Sequence, residues 1–264
     1  MTQAQRVIKY VALGLAFLLI AGIFSGIMSI LLSIFDTPVL DKGITHEING
    51  DVSDLDIDIG AAKFKVNYAD SFSVESNLKH LTVKVRNGEL QIIEKQKRGN
   101  AYKDAYLTLS VPKDFTFGEV ELETGAGDFT IDALFAKRLS LSLGAGKVTI
   151  NDLRITERAE VEGGAGELAI MGGSIRDLSL EMGVGDAEIT AAMLGNCDIE
   201  FGIGDARLDL IGSEDDYTLE VSRGIGNVEI DGTKVSGNSR VGNGTSRLDI
   251  ECGIGNVVIS FVKE

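Results

Sequence analysis

The sequence predicts an all-β chain: a parallel β-solenoid (β-helix) of roughly 19–20-residue coils, preceded by one transmembrane helix. Three observations carry that expectation. A Gly-x-Gly motif recurs about every nineteen residues, at Gly125-Ala126-Gly127, Gly144-Ala145-Gly146, Gly164-Ala165-Gly166, Gly183-Val184-Gly185, Gly202-Ile203-Gly204 and Gly224-Ile225-Gly226, with Gly242-Asn243-Gly244 and Gly253-Ile254-Gly255 closing the series. Around each motif apolar and polar residues alternate. Residues 10–35 form an uncharged, mostly apolar run. A period near 20 residues belongs to stacked units, each too small to bury a core alone.

The elements follow in chain order. Residues 1–9 carry Arg6 and Lys9. The run from Tyr10 to Phe35 exceeds the about 20 residues that a helix needs to cross a bilayer core. It is longer than the apolar stretch of a cleaved signal and has no Ala-x-Ala cleavage site, so it reads as an uncleaved signal anchor in the lipid bilayer. Basic residues before it, with Asp36 and Asp41 after it, predict a cytoplasmic N-terminus and an extracytoplasmic domain at the cell membrane. Gly22 and Gly26 have the G-x-x-x-G spacing that would support a homodimer through this helix. Residues 36–50, with Pro38, read as a stalk, and the β-domain occupies residues 51–264.

The first coil of that domain is degenerate. Leu55, Ile57, Ile59, Gly60, Phe64 and Val66 fit the register, with Ala61-Ala62 completing the corner. Leu81, Val83 and Val85, then Asn87-Gly88, then Leu90 and Ile92 read as a hairpin, and Glu94 to Asp104 as a charged loop. From there the repeat is regular. In repeats two, four, five and the last, positions one, three and five before the first glycine are apolar, as in Leu139, Leu141 and Leu143, or Cys197, Ile199 and Phe201. Six positions after it comes an aliphatic column: Ile131, Ile150, Ile170, Ile189, Leu208, Ile230, Leu248 and Ile259. Period two with one apolar face is a half-buried strand. An antiparallel meander is the rival topology, because G-x-G-D can also close a hairpin. Apolar residues in the connections, such as Leu134, Leu153 and Ile175, favour coils with a third buried side.

Charge excludes some partners. Arg6 and Lys9 are the charged residues before Asp36, so residues 36–264 hold 23 basic and 40 acidic side chains. Such a polyanion repels nucleic acid and anionic lipid. The cysteines, Cys197 and Cys252, fall in no metal-ligand spacing. Both occupy inward positions, expected about three coils or roughly 14 Å apart, too far for a disulfide. Free buried thiols are therefore expected. The Gly-x-Gly motifs lack the third glycine and helix of a nucleotide fingerprint, and no Gly-x-Ser-x-Gly elbow occurs. No catalytic residue and no cofactor is indicated.

Leu107-Thr108-Leu109-Ser110-Val111-Pro112, followed by blocks such as Leu122-Glu123-Thr124-Gly125-Ala126-Gly127-Asp128-Phe129-Thr130-Ile131, resembles the putative-adhesin β-solenoid family of bacterial cell-envelope proteins. In layout the chain resembles its membrane-anchored, envelope-stress-associated members. The resemblance covers roughly residues 50–262. It implies a β-solenoid at the cell envelope and supplies no catalytic residues.

The outward positions carry the chemistry. Glu121, Glu123, Glu160, Glu162, Glu181, Asp198, Glu200 and Glu220, interrupted by serines such as Ser140 and Ser142, should stack into an acidic stripe with carboxylates about 5 Å apart. Such a stripe suits a hard cation such as Ca²⁺, or a cationic peptide, an envelope protein or a cell-wall component. Asp128, Asp186, Asp205, Asn227 and Asn256 follow the glycine motifs and read as local turn residues. The expected function is a non-enzymatic, membrane-anchored binding or scaffold module. One alternative is a solenoid that self-assembles through an uncapped C-terminal coil at Val257, Ile259 and Phe261. Another is a β-helix carbohydrate-active enzyme, which needs convergent acids in a groove.

Overall fold

The computed structural model describes residues 40–95, 104–235 and 239–263, and they are all β apart from a 3-10 turn at Glu214–Asp216. The expected span over residues 10–35 and most of the charged loop lie outside the described residues. Among the described residues no helix is long and apolar enough to cross a membrane. The chain begins with β1 (Leu40–Glu47), β2 (Asp54–Ala61), β3 (Lys63–Ala69), β4 (Ser73–Leu78), β5 (Leu81–Arg86), β6 (Glu89–Glu94) and β7 (Tyr106–Pro112). The regular repeat comprises β8 (Thr116–Ile131), β9 (Leu134–Ile150), β10 (Leu153–Ile170), β11 (Gly173–Arg176), β12 (Leu178–Leu194), β13 (Asn196–Ile203) and β14 (Ala206–Ile211). The last section holds β15 (Tyr217–Ile225), β16 (Val228–Ile230), β17 (Thr233–Val235), β18 (Ser239–Val241), β19 (Ser246–Ile254) and β20 (Val257–Val262).

The long strands stack parallel and in register. Leu122 pairs with Leu141, Leu141 with Val161, and Val161 with Leu180. The antiparallel meander is thereby overturned. Each long strand bends at its glycine motif, so its two halves lie on two sides of a prism. A third side forms where Phe135 pairs with Thr116 and with Arg154, and Leu153 with Gly173. All three sides aim apolar residues inward, because every second side chain of a strand points the same way. The core is one ladder: Val66, Ile131, Ile150, Ile170, Ile189, Leu208, Ile259 and Ile230 stand in consecutive coils, all buried. Leu248, expected in that column, instead faces Cys197 and Leu219 in the preceding side, and Gly242-Asn243-Gly244 is no coil corner.

The largest departure from sequence order concerns the C-terminus. β19 lies between β13 and β15, and β20 between β14 and β16, parallel to both neighbours. The last coil in sequence is thus the penultimate coil in space. After β14 the chain skips one coil position across the 3-10 turn, lays down β15 and β16, and returns to fill the gap. The uncapped C-terminal end expected from the sequence does not exist. Instead β17 and β18 run antiparallel against β16 and β15 and close that end. The other end is closed by β5 against β6 and β1 against β4, again antiparallel. The β5–β6 hairpin turns at Asn87-Gly88, both at positive φ, as the sequence indicated. Residues 40–47, within the stretch read as a stalk, form β1. The edge strands carry Lys42, Lys84, Arg86, Lys234 and Arg240, charges that oppose strand addition. The end-to-end self-assembly reading therefore loses the feature that suggested it.

The motif glycines are what let coils stack. A Cβ on Gly185 would overlap the carbonyl oxygen of Gly166 in the coil beneath, and its φ is +148°. Only glycine combines that dihedral with so close a backbone approach.

Candidate functional site

The expected acidic stripe exists, in two parallel columns on one side of the prism. The outer column runs Asp56, Glu121, Ser140, Glu160, Ser179, Asp198, Asp249, Glu220. The column nearer the glycine corner runs Asp58, Glu123, Ser142, Glu162, Glu181, Glu200, Glu251, Ser222. Each of the named stripe residues is therefore on this face. Asp249 and Glu251 were missed, although Gly253 aligns them with Asp198 and Glu200. Their coil joins Glu200 to Glu251, so Glu162, Glu181, Glu200 and Glu251 stand in consecutive coils with no serine between them.

Crowding is visible in the carboxyl groups. Burial first, then the charges of Glu89, Asp58 and Glu123, hold Asp56 above the ordinary carboxylate range. Glu121 is raised by burial, then by Glu119, Asp56 and Glu89. Cations relieve the rim: Arg158 pairs with Glu160 at 2.7 Å and Arg240 with Glu220 at 3.2 Å, while Arg138 bridges Glu119 at 2.9 Å and Glu157 at 3.2 Å. These pairs are exposed and worth little individually. Among the described residues no group of three or more His, Cys, Asp or Glu side chains converges as a metal site would require.

Beside the inner column runs a shallow groove. Its floor is the first glycine of each motif, including Gly144, Gly164, Gly183, Gly202 and Gly253, and one wall is Glu123, Glu162, Glu181, Glu200 and Glu251. Two stretches of roughly 510 and 400 Å³ share Glu181 and Gly183 and so form one trough. Next along each strand, after the floor glycine, comes the middle residue of the motif. In spatial order these are Ala61, Ala126, Ala145, Ala165, Val184, Ile203, Ile254 and Ile225. The corner thus grows from alanines into an aliphatic ridge, half-buried at Val184 and Ile203 and exposed at Ile254, 44%, and Ile225, 65%.

The residues after the motifs act differently from the expected local turns. Asp186 accepts the backbone N–H of Asp205 at 2.8 Å, Asp205 that of Asn256 at 2.7 Å, and Asn256 that of Asn227 at 3.2 Å. They form a ladder between coils, not within one. Sequence spacing could not show it, because two of its steps join distant segments. Lys147 continues the same column by pairing with Glu167 at 2.9 Å.

Both cysteines are buried and unpaired, as expected, but they do not stand three coils apart. Their coils are adjacent, and Cys252 faces Phe201, four residues along from Cys197. Burial pushes the Cys197 thiol up to about 11, so it packs as a small apolar group.

Fold and site define a class: a three-sided parallel β-solenoid with capped ends, a rigid acidic face and a glycine-floored corner. The family model Toastrack DUF4097 matches residues 46–259, and the chain belongs to that family. Its likeness to solved structures is to bacterial putative adhesins. It is similar to a putative cell adhesion protein from Clostridium sporogenes, with 16% identity over 84% of this chain and 99% of the other, at a TM-score of 0.40. A putative adhesin from Parabacteroides distasonis shares 14% identity over 84% and 98%, at 0.36. A structure described as a putative lipid binding protein from the same organism shares 16% over 84% and 97%, at 0.33. No curated protein matches the chain.

Proposed function

We propose that this chain is a non-enzymatic binding or scaffold protein of the bacterial cell envelope. It is held in the cell membrane by residues 10–35, with the N-terminus cytoplasmic and the β-solenoid outside. The uncharged run after Arg6 and Lys9 supports the anchor and its orientation. The observation that carries the binding role is the unbroken glutamate run beside the groove. Four carboxylates in consecutive coils repel one another, and such a cost is retained where an opposite charge is to be met. Glycoside chemistry would need two carboxylates facing each other across a scissile bond. Here the glutamates stack along a single column beside the glycine floor.

The test is equilibrium binding of the full chain to oligolysine and to oligoglutamate at low and high salt. We expect salt-sensitive binding to oligolysine alone, lost on charge reversal at Glu162, Glu181 and Glu200. Unchanged binding after reversal removes the face as a recognition surface. Parallel melts with Ca²⁺ and with chelator decide whether a cation is the ligand.

A further inference from the structure

The aliphatic ridge is the feature that binding of charge alone leaves unexplained. Val184, Ile203, Ile254 and Ile225 stand in consecutive coils along one corner, the first two half-buried and the last two exposed. The same corner is satisfied by alanines in the earlier coils, so stacking does not require the larger residues. Contiguous exposed aliphatic surface of this kind marks an interaction site. One flank is the glutamate column across the glycine floor, and the other is the Asp186–Asp205–Asn256 ladder.

Resting on the binding role above, we infer that this corner docks a basic amphipathic α-helix laid along the solenoid axis, its apolar stripe on the ridge and its basic stripe over Glu181, Glu200 and Glu251. Spacing favours a helix over an extended strand. A helix advances about 5.4 Å per turn against about 4.8 Å per coil, so over three coil steps the two stay within about 2 Å. Alternate residues of an extended strand advance about 6.7 Å and fall out of step within two coils. Charge settles the class of partner. A second copy docked ridge to ridge would set glutamate columns against each other, and an anionic lipid surface meets the same repulsion. The helix-in-groove mode uses apolar anchors three or four residues apart, about 4.5–6 Å along the axis, and the ridge can receive one such anchor per coil.

The experiment measures fluorescence anisotropy of labelled peptides against the full chain in nanodiscs of zwitterionic lipid, with empty nanodiscs subtracted. The probes are a Lys/Leu amphipathic helix, a scrambled peptide of the same composition, and oligolysine. The helix should bind at least about tenfold more tightly than the scrambled peptide. Ile225→Ser with Ile254→Ser, and separately Glu181→Gln with Glu200→Gln, should each weaken it by a similar factor. Ile225→Ser alone serves if the double variant melts early. If scrambled peptide and oligolysine bind as well as the helix and the isoleucine variants bind normally, the helix inference falls and the acidic recognition face stands. If no basic probe binds, both fall.

Discussion

The repeat is enforced residue by residue, and the glycines are not equivalent. Gly185 combines positive φ with a carbonyl pressed against its α-carbon, so Gly185→Ala should cost about 3 kcal/mol or more. Gly163 occupies an inward column that holds Leu143 and Met182 in the neighbouring coils. Its φ is ordinary, and an added Cβ would meet the Met182 side chain at 3.3 Å, next to a void of about 20 Å³. Gly163→Ala should therefore stay within about 1 kcal/mol of wild type. Thermal melts of the pair check this, and equal losses would mean that corner geometry is not what glycine supplies. Asp205 is a second lever. Its carboxylate accepts both the backbone N–H and the side-chain amide of Asn256, at 2.7 and 3.0 Å. Asp205→Ala should cost about 1 kcal/mol although the residue is exposed, while Asp205→Asn keeps an acceptor and most of that stability. Denaturant midpoints distinguish the ladder from a local turn, which would make both substitutions nearly silent.

At the scale of elements, the strands were legible in the sequence and their spatial order was not. Period two around each Gly-x-Gly located both halves of every long strand, and Asn87-Gly88 located the hairpin. Each coil presents nearly the same inward residues, however. Nothing local distinguishes a coil that follows its predecessor from one inserted a step back. The same degeneracy put Leu248 in the wrong column and hid Asp249 and Glu251 from the acidic face. The insertion makes β19 and β20 the shared partners of two coils, with Leu248, Ile250, Val257 and Ile259 fully buried between them. A chain cut after Gly244 should therefore lose the whole region past Ile211. Residues 217–230 would lose both parallel partners and keep only the short antiparallel β17 and β18, and each buried aliphatic removed forfeits about 1.5–3 kcal/mol. Hydrogen exchange should show residues 217–230 unprotected in the truncated chain. Protection kept there would mean that β15 closes directly on β13, and that the insertion is dispensable.

Across the whole molecule, the charge of the acidic face weighs against stability, and the proposed recognition role depends on that same charge. Asp56 and Glu121 are raised above the ordinary carboxylate range in the folded protein, so the folded state binds protons more tightly than the unfolded chain. Their contribution is present at low pH and is lost as pH rises through their raised values. Asp216 opposes them: the backbone N–H and then the hydroxyl of Ser213 lower it, so its contribution is lost as pH falls through its depressed value. The raised pair titrates at higher pH than Asp216, so mild acidification from neutrality is felt first as relief of buried charge and then of repulsion. The melting temperature should rise as pH falls toward the upper edge of the carboxylate range, and turn down only in stronger acid. Added salt at neutral pH should also raise it, by screening the same charges. Glu181→Gln with Glu200→Gln removes two like charges from adjacent coils and should stabilise by about 0.5–1 kcal/mol while weakening basic ligands. A melting temperature that falls steadily from neutral pH would show that native ion pairs outweigh the repulsion. The glutamate column would then be a structural asset of the solenoid, with no stability given up for a ligand.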